Sequence, residues 1–192
     1  TEQIALFEKV TDRGDAEYQA ALETLAGTLG LARRFDEAEA AFARAIEVRK
    51  ATGRLESSSG AWTLAEFARM LTEAGRPLQA IPIYREVLAI GQRKVADDGA
   101  SRGVWLGNLG TAAARAGDLG LAERSFRESI GVLSGIWERG GAPIGRTYAR
   151  CGRGLLDLGR TAAAGAWIST AREALAAKLP PDHLEVLDVR VL

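Results

Sequence analysis

Val104-Trp105-Leu106-Gly107-Asn108-Leu109-Gly110-Thr111-Ala112-Ala113-Ala114-Arg115-Ala116-Gly117-Asp118-Leu119-Gly120-Leu121-Ala122-Glu123-Arg124-Ser125-Phe126 reads as two helices flanking the turn Gly117-Asp118, and it recurs in weaker form on either side of itself. Sliding the sequence by 42 aligns Ala38, Ala80, Ala122 and Ala164 in one column, and Phe42, Tyr84, Phe126 and Ile168 in another. A third column holds Ala26, Ala68, Gly110 and Gly152. Leu25, Phe67, Leu109 and Cys151 precede it by one place, and Leu22, Leu64, Leu106 and Tyr148 by four. Fixed-period self-similarity of this kind marks an array of supersecondary units, each too small to bury its apolar face alone.

The columns assign scaffold roles. Two helices of a hairpin approach each other at the small column, where a larger side chain would force them apart. The large columns fill the space between successive hairpins. Cys151 stands in a large column and no histidine is near it in sequence, so it reads as a buried hydrophobe rather than a nucleophile.

The large-x-x-large-small pattern, followed twelve residues later by Ala-x-x-x-aromatic, resembles the tetratricopeptide repeat, whose usual period is roughly 34 residues. The longer period is similar to the kinesin-light-chain type, in which both helices are extended. A HEAT-type solenoid has a comparable period, but the small and aromatic columns favour the tetratricopeptide resemblance. That resemblance implies an all-α fold, an α-α superhelix built as a right-handed solenoid of antiparallel helix pairs. It also implies a protein–protein interaction scaffold rather than an enzyme.

On this reading residues 1–14 are the tail of a preceding repeat, and four repeats span 15–56, 57–98, 99–140 and 141–181. Residues 182–192 begin a further one. The whole is a single array, expected to be a fragment of a larger, bacterial-looking Ala/Arg/Gly-rich protein. Asp36 is the expected N-cap of a second helix and Gly53 its stop. Ser57-Ser58-Ser59-Gly60 reads as a helix cap rather than a linker. Pro77 falls at a first helical position, where its missing N–H costs nothing, and Pro82 lies deeper, where it should bend the helix.

Composition excludes several classes. Lys plus Arg and Asp plus Glu both number 25, so no net charge argues for nucleic acid or a membrane surface. No apolar run approaches the roughly 20 residues of a membrane span, and a cytoplasmic location is expected. One cysteine permits no intrachain disulfide, and the one histidine, His183, leaves little for metal chemistry. Phosphate-loop, Cys-x-x-Cys and His-Glu-x-x-His patterns are absent from the sequence, so neither a cofactor nor a catalytic group is expected.

Function is therefore sought on the first helices, at positions the packing columns leave open. In the first repeat these are Ala20, Thr24, Gly27 and Leu31. In the second they are Trp62, Glu66, Arg69 and Glu73; in the third, Val104, Asn108, Thr111 and Arg115; in the fourth, Arg146, Arg150, Arg153 and Asp157. Arg146, Arg150 and Arg153 at i, i+4 and i+7 share one helix face, and such forks suit bidentate capture of carboxylate or phosphate. Asn108 before Arg146 and Arg150 resembles the later part of the two-carboxylate clamp of chaperone-binding tetratricopeptide domains. The clamp's earlier part is not matched, since Ala65 stands where it has Lys and Arg69 where it has Asn. The expected site is a groove for an extended acidic peptide, drawn from Trp62, Glu66, Arg69, Asn108, Thr111, Arg115, Arg146, Arg150 and Arg153. The alternatives are a regulatory sensor domain of a multidomain bacterial signalling protein, and self-assembly of copies through open repeat ends.

Overall fold

The computed structural model of the chain describes residues 16–94, 99–136, 142–176 and 179–180. They form eight helices: α1 (Ala16–Leu31), α2 (Phe35–Ala51), α3 (Ser58–Glu73), α4 (Pro77–Lys94), α5 (Ala100–Arg115), α6 (Leu119–Ile136), α7 (Ala142–Asp157) and α8 (Thr161–Ala176). No strand occurs among the described residues. Each odd-numbered helix packs on the even-numbered helix after it, giving four hairpins. The chain divides into two compact units, Thr1–Ala96 and Asp97–Leu192. The partial repeats expected at 1–14 and 182–192, together with Trp137 and His183, lie outside the described residues.

One column closes every hairpin. Gly75, Gly117 and Gly159 sit at φ +79°, +79° and +68°, and Arg33, 42 residues before Gly75, sits at +58°. At each, the following N–H reaches back to close a Schellman turn: Arg34 to Leu29 O at 2.9 Å, Arg76 to Leu71 O at 2.8 Å, Asp118 to Ala113 O at 2.9 Å and Arg160 to Leu155 O at 2.9 Å. Glycine enters the left-handed region freely, whereas a side chain there costs roughly 1–2 kcal/mol. Arg33 accepts that strain and lays its guanidinium 5.5 Å from the centroid of the Phe35 ring.

The helix starts follow local chemistry. Ser57 Oγ accepts from Gly60 N at 3.1 Å, so the serine run is a cap. Asp118 Oδ1 accepts from Leu121 N at 2.9 Å and starts α6. Pro77 is the first residue of α4, and Pro82 lies inside that helix. Asp36 is not the cap of α2: Arg34 holds that position without a side-chain cap bond, and Asp36 falls in the first turn, where its charge complements the N-terminal dipole.

The small column is a line of contact. A Cβ on Gly110 would lie 2.3 Å from Phe126 Cδ1, and one on Gly152 would lie 2.6 Å from Ile168 Cγ1. A second column of close approach, unread in the sequence, runs through Gly103 and Gly145, whose added Cβ atoms would meet Leu133 at 2.4 Å and Leu175 at 2.7 Å. In the second unit, Phe126, Cys151, Leu155, Ile168 and Leu175 form the core. The half-buried Trp167 stands edge-on to Phe126 and Tyr148, with centroids 6.1 and 6.4 Å apart. Trp105 is buried, as a packing residue should be.

The first unit has a polar element in its core that column analysis missed. Arg49, 3% exposed, donates to Glu23 Oε1 at 2.7 Å and to Ser59 Oγ at 3.0 Å. Glu23 Oε1 also accepts from Thr63 at 3.0 Å and from Gln19 at 3.2 Å, so one carboxylate ties α1, α2 and α3 together. Adjacent hairpins are pinned again at the edge by Arg76 with Glu39 (2.5 and 2.8 Å) in the first unit and Arg160 with Glu123 (2.8 and 2.7 Å) in the second. Glu39 is thus an inter-hairpin ion-pair partner.

Candidate functional site

The second unit brings α5 and α7 side by side. Small residues set the approach: a Cβ on Gly107 would stand 3.7 Å from Thr147 Cγ2, and one on Gly154 would stand 3.8 Å from Ala114 Cβ. Between these points Arg150 Nη1 donates to Asn108 Oδ1. Asn108 is buried at 9% exposure, so its amide is fixed and orients the half-buried Arg150. Arg146 and Arg153 are exposed one turn to either side. Among the described residues no carboxylate forms an ion pair with Arg150 or Arg153, and Asp157 pairs with neither. Like charges on one helix face repel, and no acid among the described residues offsets Arg150 and Arg153.

Thr111 is half-buried and donates to Gly107 O at 3.0 Å, so its hydroxyl is engaged within α5, while Arg115 is exposed at the helix end. Cys151, next to Arg150, is fully buried; burial pushes its thiol up to about 12, against the pull of the Arg150 charge. It remains a neutral core group at physiological pH.

The first unit arranges its residues differently. Arg69 donates through Nε (3.0 Å) and Nη2 (2.7 Å) to Glu66 Oε2, and through Nη1 (2.6 Å) to Glu73 Oε1. The hydrogen bonds to Glu66, opposed by partial burial and assisted by the charges of Glu66 and Glu73, hold the guanidinium above its ordinary range. Its charge is thus balanced within α3. Glu66 Oε1 and Glu73 Oε2 accept nothing from the described residues, and Trp62, one turn before Glu66, is 41% exposed. The expected residues therefore form two sets, one on each unit: Asn108 with Arg150 and its neighbours, and Glu66 with Arg69 and Trp62. Glu73 completes the second set, a role legible in its i+4 spacing from Arg69.

Among the described residues no three of His, Cys, Asp and Glu gather as a metal site, and no helix is long and apolar enough to cross a membrane. The family profile described as "Tetratricopeptide repeat" matches residues 17–93 and 59–134. The chain belongs to the tetratricopeptide-repeat family. Its hairpins are similar to the nearly identical TPR-like repeats assigned to kinesin light chain in Podosopora anserina, at 18% identity and TM-score 0.73, covering 91% of this chain and 83% of that one. A single-substitution variant of that protein gives TM-score 0.76 at 18% identity over the same shares of the two chains. BtubC (BKLC) from P. vanneervenii is similar at 20% identity and TM-score 0.72, over 86% of this chain and 67% of that one. No curated protein matches the chain by sequence. The tetratricopeptide repeat with kinesin-light-chain-like period is a helical repeat solenoid, and its general role is that of a protein–protein interaction scaffold.

Proposed function

We propose that the second unit binds an extended acidic peptide of a partner protein across the ledge formed by Asn108, Arg146, Arg150 and Arg153, with Thr111 and Arg115 at its margin. The observation that carries this reading is the Asn108–Arg150 hydrogen bond. It holds a guanidinium in one orientation through a neutral amide, and among the described residues the positive charge has no counter-ion. A carboxylate arriving there gains charge-assisted hydrogen bonds, each worth about 1.5–3 kcal/mol, and relieves the repulsion between neighbouring arginines. The partner is met in the cytoplasm, whose reducing conditions suit a chain with one buried free thiol.

The test is fluorescence anisotropy with a labelled decapeptide carrying four glutamates, titrated with wild-type protein and with the Arg146→Glu, Arg150→Glu double variant. Affinity should fall at least about tenfold in the variant while far-UV circular dichroism is unchanged, and binding should weaken as salt screens the ledge. Equal affinity for both proteins refutes the reading.

A further inference from the structure

We infer that the anion read by the ledge of the second unit is a phosphoryl group on a serine or threonine of the partner peptide, seated on Asn108, Arg150 and Arg153, rather than a glutamate or aspartate side chain. The inference rests on the acidic-peptide reading of the same ledge and sharpens it. A guanidinium only donates hydrogen bonds, so the Asn108 amide must turn Oδ1 towards Arg150, and this fixes Nδ2 on its other edge as a donor. Asn108 is only 9% exposed, yet its Nδ2 donates to nothing among the described residues and is not sealed from solvent. Arg150 gives one Nη1 N–H to Asn108 and keeps its other N–H groups. Arg153, exposed and three residues on, shares the helix face and bonds to no carboxylate among the described residues.

The groups left open at this seat are all donors, so the ligand must bring acceptors. A glutamate brings one negative charge and two oxygens; bidentate capture by Arg150 would use both and leave Arg153 unbalanced. A phosphomonoester brings about 1.5–2 negative charges and three terminal oxygens, enough to balance both guanidiniums and still accept from Asn108 Nδ2. Neighbours at i and i+3 lie roughly 5–6 Å apart at Cβ, a span that two long side chains close around one tetrahedral group. Asp157, exposed one turn beyond Arg153, bonds to neither arginine among the described residues and does not occupy the seat. Arg115 and Arg146 each have an interaction of their own, so the seat is assigned without them. The scaffold role of the repeat places the phosphoryl group on a protein rather than free in solution.

Four labelled decapeptides of common Gly/Ser background carry a central phosphoserine, a central glutamate, a central serine or four glutamates, and are titrated by fluorescence anisotropy into the full chain. The phosphoserine peptide should bind about tenfold more tightly than the single-glutamate peptide at about pH 7.5. That advantage should shrink towards about pH 5, as the phosphate takes up its second proton near about pH 6. Asn108→Asp sets a counter-ion of the same shape against Arg150 and should cost the phosphoserine peptide at least about tenfold. Arg153→Gln, on the exposed face, should cost it about tenfold and the single-glutamate peptide about twofold, with far-UV circular dichroism unchanged in both variants. Inorganic phosphate should compete far less well than unlabelled phosphoserine peptide; equal competition would mark a free-anion site and overturn the inference. If the four-glutamate peptide binds while phosphoserine is no better than glutamate, this inference alone is overturned. If neither the phosphoserine nor the four-glutamate peptide exceeds the serine peptide, the acidic-peptide reading falls with it.

Discussion

Replacing Gly110 by alanine sets two well-calibrated effects against each other. In a helix interior the exchange should stabilise by about 1 kcal/mol, because alanine is the better helix former. The structure opposes this gain. The new Cβ would lie 2.3, 2.4 and 3.0 Å from three atoms of the Phe126 ring, where ordinary carbon contacts begin at about 3.5 Å. The ring has no room to retreat: it is fully buried, a Cβ at Gly154 would meet its far end at 2.7 Å, and Trp167 stands edge-on to it. Overpacking of this kind costs about 1–3 kcal/mol, and a shortfall of more than 1 Å against an immobile ring belongs at the upper end. The net expectation is destabilisation by about 1–2 kcal/mol, read as a lower urea midpoint by circular dichroism and tryptophan fluorescence. Phe126→Leu, itself destabilising, should partly rescue Gly110→Ala in a double-mutant cycle, since the two changes share one contact. A Gly110→Ala protein as stable as wild type, or more so, would refute the close-approach argument for the whole column.

Three further outcomes follow from the same geometry. Arg33→Gly should raise stability by about 0.5 kcal/mol, strain relief less the added freedom of the unfolded chain, while Gly117→Ala should lower it by about 1 kcal/mol; both are checked by urea midpoint. Glu23→Gln leaves the buried Arg49 without its counter-charge and should cost about 1.5–3 kcal/mol by the same assay, with the Glu66→Gln surface change close to neutral. Cys151 gives a pH dependence: below its ordinary pKa of 9.0 the thiol is protonated in both states and its stability contribution is fully present. As pH rises from about 9 towards 12 the unfolded chain alone loses the proton, so stability falls. Stability curves of wild type and Cys151→Ala should therefore converge or cross above pH 9, and parallel curves would show that the thiol is not buried as described.

Much of the fold was legible because packing imposes periodicity. Ala26, Ala68, Gly110 and Gly152 had to be small since a bulky helix lies across each of them, and the shift of 42 exposed that directly. The turns were legible where the left-handed residue was glycine, and the matching position Arg33 went unread because an arginine carries no such signal. The Gln19–Glu23–Arg49–Thr63 network escaped for a related reason. Gln19, Glu23 and Arg49 occupy positions that are apolar or small elsewhere, and a buried polar group is visible only once its partners are placed around it. Gly103 and Gly145 lacked a partner column of constant size, since Leu133 and Leu175 align with Gly91 and Arg49 earlier in the chain.

The register of the candidate residues was legible in the sequence, but the partners of their charges were not. The open columns of the first helices place Glu66 in register with Asn108 and Arg150, Arg69 with Thr111 and Arg153, and Glu73 with Arg115 and Asp157. Counting cations along those columns makes Arg69 and Arg150 equivalent. Their partners make them opposites: Arg69 spans two carboxylates, whereas Arg150 is held by an amide and pairs with no carboxylate among the described residues. A hydrogen bond to a neutral acceptor orients a guanidinium without neutralising it, and that difference in partner decides whether an arginine presents a charge or only arranges others. The repeat thus sets the register of these side chains, while the partner each one finds locally sets how its charge is held.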